Sequence, residues 1–346
     1  MGAPIIPDTM RAVVIKDPGG EDILKVSTVA VPQPRPGQVL VKVHATTVIT
    51  SELASREGVS TAKLPLVLGN DFIGTVVAAP GAEERIGSRI LGAYGGYGYT
   101  RDGAWADYII VDSADAFPID STLPSTALVA IAGSFTTASG TIHALGEMNG
   151  KTLLIRGGTS GVGLAIATLA IAQGATVIST TRNPDKIKGL QDHGVHHVVL
   201  DDGNLENAVR SYAHEGVDLA VEMLGVGGLS ESIKCVRPFG IACLTGLLND
   251  QATSIKEKLR EDRSVPGYPH PMELIPPTVR LTIGGVVATP RTTAMVQDWV
   301  TGFEQGKYKM PIDSTYTLED IASAHRRRAD PSSFGKIVIR VSDPID

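Results

Sequence analysis

The chain has 346 residues, 42% hydrophobic and 20% charged, with a net charge of −6. That length suffices for two domains with substantial cores. The negative balance argues against a nucleic-acid partner, and two cysteines, Cys235 and Cys243, are too few for a disulfide framework. No apolar run reaches membrane-spanning length, and residues 1–11 (MGAPIIPDTMR) lack a signal-peptide core. A cytoplasmic protein with buried, reduced thiols and no membrane partner is expected.

Residues 11–120 read as β-rich, with apolar or alternating runs at 11–16, 23–31, 38–48, 66–79, 88–91, 105–111 and 116–119 between Gly, Pro and Asp turns. They show no long helical period, so a barrel-like antiparallel domain is expected. Residues 92–103 (GAYGGYGYTRDG) carry three tyrosines among glycines, too flexible for a strand and suited to a pocket rim. A helical pattern follows at 126–145. Next comes an apolar strand at 152–155, a glycine-rich turn at 157–163, helical spacing up to Gly174, and a β-branched strand at 175–181. The alternation continues with helix 184–193, strand 197–200, helix 205–214, strand 217–223, helix 229–236 and strand 241–247, and 279–283 offers a sixth strand. Strands alternating with helices mean a doubly wound parallel sheet. The connection 249–277, rich in charge and proline, reads as a lid, a partner contact or a surface excursion. In the tail, a helix at 293–304, a run at 315–318, a helix at 319–326 and a strand at 335–341 return to the first domain.

The strand–turn–helix at 152–174 has the order that a dinucleotide site requires. Glycines let the backbone approach a pyrophosphate, and the helix N-terminus presents free N–H groups. Ser160 occupies the middle glycine position of the usual GxGxxG fingerprint. Glycines in a βα turn can also be purely steric, but the flanking strand and helix favour a nucleotide. The second strand ends Ser179-Thr180-Thr181-Arg182, with Lys186 beyond, and has no carboxylate to repel a 2′-phosphate. Thr181 can hydrogen-bond such a phosphate, and Arg182 and Lys186 can neutralise it. The alternative is a solvated helix start. NADP(H) is the expected cofactor.

In order along the chain stand MRAVVIKDPGG, PGQVLVKVHA, LVLGNDFIGTVV, GAWADYIIV, LLIRGGTSGVGLA and FGKIVIRV. With these blocks, nearly the whole chain resembles the medium-chain dehydrogenase/reductase superfamily, in its zinc-independent quinone oxidoreductase and enoyl reductase-like branch. The resemblance implies an α/β protein. A GroES-like β-barrel catalytic domain (1–126 and 303–346) would wrap around a Rossmann doubly wound parallel-sheet domain (127–302). Zinc-dependent relatives hold their catalytic metal at the positions of Ile49, Asn70 and Gly133, which offer no adequate ligand set. The cysteines of their second zinc site are missing too, so no metal is expected, and His44 and His143 become ordinary histidines.

The resemblance also nominates residues. Thr50, Ser51 and Tyr94 would line the substrate pocket, with Tyr94 a hydrogen-bond donor to a developing oxyanion or an aromatic wall. Ser51 beside Glu52 would be a polar relay, or Glu52 purely structural. Thr137 would pack on the nicotinamide. Gly158, Thr159, Ser160, Gly161, Val162 and Gly163 would hold the pyrophosphate, and Thr181, Arg182 and Lys186 the 2′-phosphate. Thr245, Gly246 and Leu247 would lie by the nicotinamide ribose, and Lys336 would either approach the cofactor or be an exposed strand charge. Two departures stand out: Ile49 where many relatives have Asn, and Leu53 and Ala54 where enoyl reductases often have a Tyr. The implied activity is NADPH-dependent hydride transfer to a quinone or an α,β-unsaturated carbonyl, by a homodimer joined near 279–287. The alternative readings are an NADP(H)-binding protein with little turnover and, less in keeping with the missing ligands, an alcohol dehydrogenase.

Overall fold

A computed structural model describes residues 5–60, 62–248, 275–286 and 290–342. Most of the connection 249–277, and the end of the dimer segment 279–287, lie outside the described residues. The chain divides into two compact units, Met1–Gly133 with Arg291–Gly306 and Ile312–Asp346, and Ser134–Pro290 with Lys307–Pro311.

The first unit is built on antiparallel strands. β1 (Thr9–Ile15) lies between β2 (Val26–Ala30) and β4 (Leu66–Val67). The larger sheet is centred on β3 (Gln38–Val48), an eleven-residue strand whose side chains are nearly all buried. Its first half pairs with β7 (Tyr108–Asp112), its middle with β5 (Asp71–Ala78), and its end with β16 (Lys336–Arg340). β6 (Arg89–Ala93), β8 (Phe117–Pro118) and β15 (Ile312–Thr317) complete it. Ala12, Val41, Phe72, Trp105, Leu318 and Ile337 fill the core.

Two details depart from the sequence pattern. The run 66–79 is not one strand, because Gly69 (φ +106°) turns the chain between β4 and β5. A Cβ at Gly69 would lie 2.7 Å from the backbone nitrogens of Ala104 and Trp105, so the turn needs glycine. A helix that periodicity did not reveal, α1 (Thr50–Arg56), follows β3 directly. Seven residues are too few to show a 3.6-residue period.

The second unit starts within a long helical stretch of α2 (Ser125–Leu128), a 3₁₀ turn and α3 (Ala132–Leu145). Contrary to expectation, Ser125–Leu145 is long and apolar enough to cross a membrane. However, 83% of its most apolar window is buried in the protein, as in a core helix. Then come β9 (Thr152–Arg156), α4 (Gly161–Ala172), β10 (Thr176–Thr181), α5 (Ile187–Asp192) and β11 (His197–Leu200). α6 (Leu205–Arg210), β12 (Val217–Glu222), α7 (Val226–Lys234), β13 (Val236–Leu244) and β14 (Arg280–Ile283) follow. All pairings are parallel, in the order β11-β10-β9-β12-β13-β14. The direction reverses between β9 and β12, the switch point at which doubly wound sheets bind ligands.

The unit boundaries differ from those expected. Residues 127–133 and 291–306 group with the first unit, so the whole of α8 (Thr293–Glu304) returns to it, as the tail reading expects, and not only the part beyond 302. The reason is polar: Gln297 accepts from the Asp120 N–H at 2.8 Å and donates to the Asp120 carbonyl at 2.9 Å. Glu304 accepts from Ser121 and Thr122. α9 (Ile321–Ala329) covers the barrel near α1, with His325 buried edge-on against Trp105.

Candidate active site

At the end of β9 the chain turns through Gly157 into α4. A Cβ on Gly158 would lie 1.6 Å from Ser179 Oγ, and one on Gly163 would lie 2.8 Å from the Gly157 carbonyl oxygen. These two glycines are therefore required by the close packing of turn, helix and β10. Ser160, in the middle position, is the helix N-cap, and its Oγ accepts from the Gly163 N–H at 3.0 Å. The first-turn N–H groups of Gly161 and Val162 are left to meet an anion. A cradle walled by backbone and closed to Cβ atoms fits the pyrophosphate of a dinucleotide.

Other candidates gather at the same strand ends. The N–H groups of Thr245 and Gly246 both donate to the Glu222 carbonyl, at 3.0 and 3.1 Å, so the turn containing Leu247 lies over the end of β12. Thr245 Oγ1 is 3.1 Å from Thr141 Oγ1, which is also hydrogen-bonded to the Thr137 carbonyl at 2.9 Å. Thr181 behaves differently from expectation. Its hydroxyl donates to the Asn183 carbonyl and accepts from the Asn183 N–H, both at 3.1 Å, so its proton is spent within its own turn. Arg182 is exposed, and Lys186 is half-buried in the 3₁₀ turn that follows.

Lys336 is not an exposed strand charge. It is buried in the barrel unit, with Nζ 2.8 Å from Asp71 Oδ2, which also accepts from Thr47 Oγ1 at 2.8 Å. The other oxygen, Asp71 Oδ1, would lie 2.2 Å from a Cβ at Gly133. Asp71 thus fills the space that a side chain at 133 would occupy. Asn70 Oδ1 accepts from the Tyr94 N–H at 3.1 Å and holds that residue in the left-handed region, at φ +66°. Ile49, Asn70 and Gly133, the positions of the zinc ligands in metal-dependent relatives, therefore carry a hydrocarbon, an engaged amide and no side chain. Lys336 supplies a positive charge beside them. These residues do not fit a metal ion, and among the described residues no group of three His, Cys, Asp or Glu could hold one.

Glu52 lies next to this pair. It is fully buried in the first turn of α1, where its two oxygens accept from the Ile49 N–H at 2.8 Å and the Asn70 N–H at 2.9 Å. Burial pushes its carboxyl group up to about 8, the Asp71 carboxylate adds to the rise, and the two N–H bonds oppose it. Glu52 is therefore protonated at neutral pH. Thr50 starts the same helix, and Ser51 Oγ lies 2.5 Å from the hydroxyl of Tyr99. Tyr99 had not been singled out from the sequence. Its segment had, but as a flexible rim, whereas the structure shows a packed turn. There the N–H groups of Tyr99 and Thr100 donate to the Gly96 carbonyl at 3.0 and 2.9 Å, and buried Tyr97 meets Phe72 edge-on. His44 is buried with Nε2 3.0 Å from Thr75 Oγ1, and His143 is exposed, so both are ordinary histidines.

The fold agrees with comparisons to known proteins. Residues 35–121 match the model of the alcohol dehydrogenase GroES-like domain, and residues 161–270 that of the zinc-binding dehydrogenase family. The chain belongs to the medium-chain dehydrogenase/reductase superfamily. Within it, the chain falls in the quinone oxidoreductase-like branch: it is 27% identical to human quinone oxidoreductase over 339 residues, covering 95% of this chain and 97% of that one. The crystal structure of AibC superposes with a TM-score of 0.81 at 23% identity, covering 97% of each chain. That of an NAD-dependent alcohol dehydrogenase gives 0.79 at 25% identity, covering 96% of this chain and all of the other. The protein is an oxidoreductase of this type, and a nicotinamide dinucleotide is its cofactor.

Gly158→Ala is expected to weaken dinucleotide binding at least tenfold, because the new methyl group must displace Ser179 Oγ. Adding Ser179→Ala should restore much of the loss, a coupling that fluorescence titration of the cofactor would read. Glu52 makes stability depend on pH in a defined direction. Its folded value of about 8 lies above its ordinary 4.5, so its contribution is complete below 4.5 and is lost as pH rises to about 8. Glu52→Gln should lower stability by roughly 1–3 kcal/mol, since its amide cannot accept from both N–H groups. It should also remove that decline, as measured by thermal unfolding at pH 5.5 and 8.5.

Proposed function

We propose that the protein is an NADPH-dependent reductase of quinones or α,β-unsaturated carbonyl compounds that works without a metal. The observation that carries this reading is the Asp71–Lys336 ion pair, buried where metal-dependent relatives hold zinc. Alcohol oxidation in this fold requires a Lewis acid to stabilise an alkoxide. A conjugated acceptor spreads the incoming charge over its own π system and needs only hydrogen-bond donors at the oxygen.

The bound cofactor supplies the hydride. The chain's own residues orient the reactants and keep water out. Gly158–Gly163 and the start of α4 would hold the pyrophosphate, Thr137 and Thr245–Leu247 the nicotinamide end, and Arg182 and Lys186 the 2′-phosphate. With Thr181 occupied in its own turn, the choice of NADPH over NADH rests on the two cations. Thr50 and Ser51 at the start of α1, and Tyr94 beside Asn70, would face the substrate. The exposed edge strand β14, with Ile283 70% exposed, supports a homodimer joined there.

The purified protein should oxidise NADPH with quinones and enones and leave simple aldehydes untouched. Turnover of aldehydes alone, or dependence of turnover on added zinc, would overturn the reading. Arg182→Ala with Lys186→Ala should raise the KM for NADPH at least tenfold and leave that for NADH nearly unchanged. An unaltered preference would show that other residues select the cofactor.

A further inference from the structure

Enoyl reductases related to this chain often carry a tyrosine where it has Leu53 and Ala54, which leaves the acid of the reaction unassigned. The structure brings a different tyrosine to the same helix. Tyr99 comes from the glycine-rich turn after β6, and its hydroxyl meets Ser51 Oγ in the first turn of α1. The approach is fixed from both sides. The Tyr99 carbonyl accepts from the Lys63 N–H at 3.2 Å, and Gly98 packs so closely on Gly69 that a Cβ there would lie 3.0 Å from the Gly69 nitrogen. Ser55 Oγ donates to the Ser51 carbonyl at 3.0 Å, which braces the helix turn.

Two hydroxyl groups in one hydrogen bond carry two protons and use only one of them. Among the described residues, neither Ser51 Oγ nor the Tyr99 hydroxyl has a second partner, so one proton of the pair is available to a ligand. Both residues are half-buried, and Ser51 adjoins the buried Glu52 in the first turn of α1. The neighbouring charges that act most strongly on Tyr99, those of Glu52, Tyr94 and Asp71, all disfavour a tyrosinate. Burial raises the phenol further, so Tyr99 keeps its proton through neutral pH and acts as a donor, not a base.

We propose that Tyr99 is the catalytic acid, with Ser51 donating to its oxygen as a positioning residue. The proposal rests on the reductase reading above. Once the β-carbon of the acceptor has received hydride, the electron pair of the C=C bond moves onto the carbonyl oxygen. That oxygen takes the phenol proton of Tyr99, giving an enol that tautomerises to the saturated ketone, and with a quinone it gives the hydroquinone. The tyrosinate, supported by the Ser51 hydroxyl, recovers its proton from water. One solvent proton is consumed per turnover.

The test compares wild type, Tyr99→Phe and Ser51→Ala in two assays. The first is steady-state turnover of an enone in H₂O and D₂O. Tyr99→Phe should lower kcat about 100-fold, within the range for loss of a general acid, while NADPH affinity stays within twofold. Ser51→Ala should lower kcat about tenfold and enlarge the solvent isotope effect. The second assay is binding of 4-nitrophenolate, an anionic mimic of the enolate, to the protein saturated with NADP⁺, read by its absorption shift. Tyr99→Phe should weaken this binding at least tenfold. If wild type turns over and Tyr99→Phe remains within twofold in both assays, the assignment is wrong. If wild type reduces no enone or quinone but Tyr99→Phe still loses nitrophenolate, the acceptor class is wrong and the oxyanion site stands. Should Tyr99→Phe melt well below wild type, the Ser51→Ala results decide, and unchanged kcat and nitrophenolate binding there would reject the pair.

Discussion

A lysine ammonium and an aspartate carboxylate, 2.8 Å apart and almost fully buried, form the constraint on which the barrel unit depends. Lys336 and Asp71 are 265 positions apart. Their contact fastens the last strand, β16, to β5 across the end of β3, so the tail must return to the first unit. Burying either charge alone would cost several kcal/mol, and removing one partner of such a pair typically costs about 3–5 kcal/mol. Thr47 gives the carboxylate a further donor, and Gly133 gives it room. Glu52 completes the arrangement by staying protonated, because burial disfavours its charge and the Asp71 carboxylate beside it adds to that.

The same pair defines the chemistry. Where metal-dependent relatives place three ligands, this chain places a hydrocarbon, an amide occupied by the Tyr94 backbone, and a glycine whose vacant space the carboxylate fills. The floor of the site is charge-balanced by its own residues. On the proposed reading, hydroxyl groups are left to act on a substrate that delocalises the charge itself, and the protein supplies hydrogen bonds.

Much of the fold was legible because it follows from local pattern. The βα alternation fixed the parallel sheet, and the motif blocks fixed the family. The strand 38–48 and the helix 293–304 have the bounds that alternation and periodicity indicate. The bonds that hold that helix in the first unit were not legible, since its Gln297 and Glu304 reach residues nearly 180 positions away. On the nucleotide side, the glycine turn could be read from sequence because Gly158 and Gly163 are demanded by the close packing of a strand–turn–helix unit that the pattern itself reveals. The commitment of Thr181 to Asn183 could not, because a hydroxyl's partner depends on the exact path of the turn. Lys336 and Tyr99 show the same limit more strongly. Their roles arise from contacts across 265 and 48 positions, which no local pattern encodes.

The central claim is that hydride reaches an activated carbon and that no metal takes part. It is tested most directly by following the label from NADPH deuterated at the transferred position into a cyclic enone, using protein dialysed against a strong chelator. The account predicts full activity, with deuterium on the β-carbon of the saturated ketone, as seen by NMR. Deuterium on the carbinol carbon of an allylic alcohol, or activity lost on chelation and restored by zinc, would contradict it.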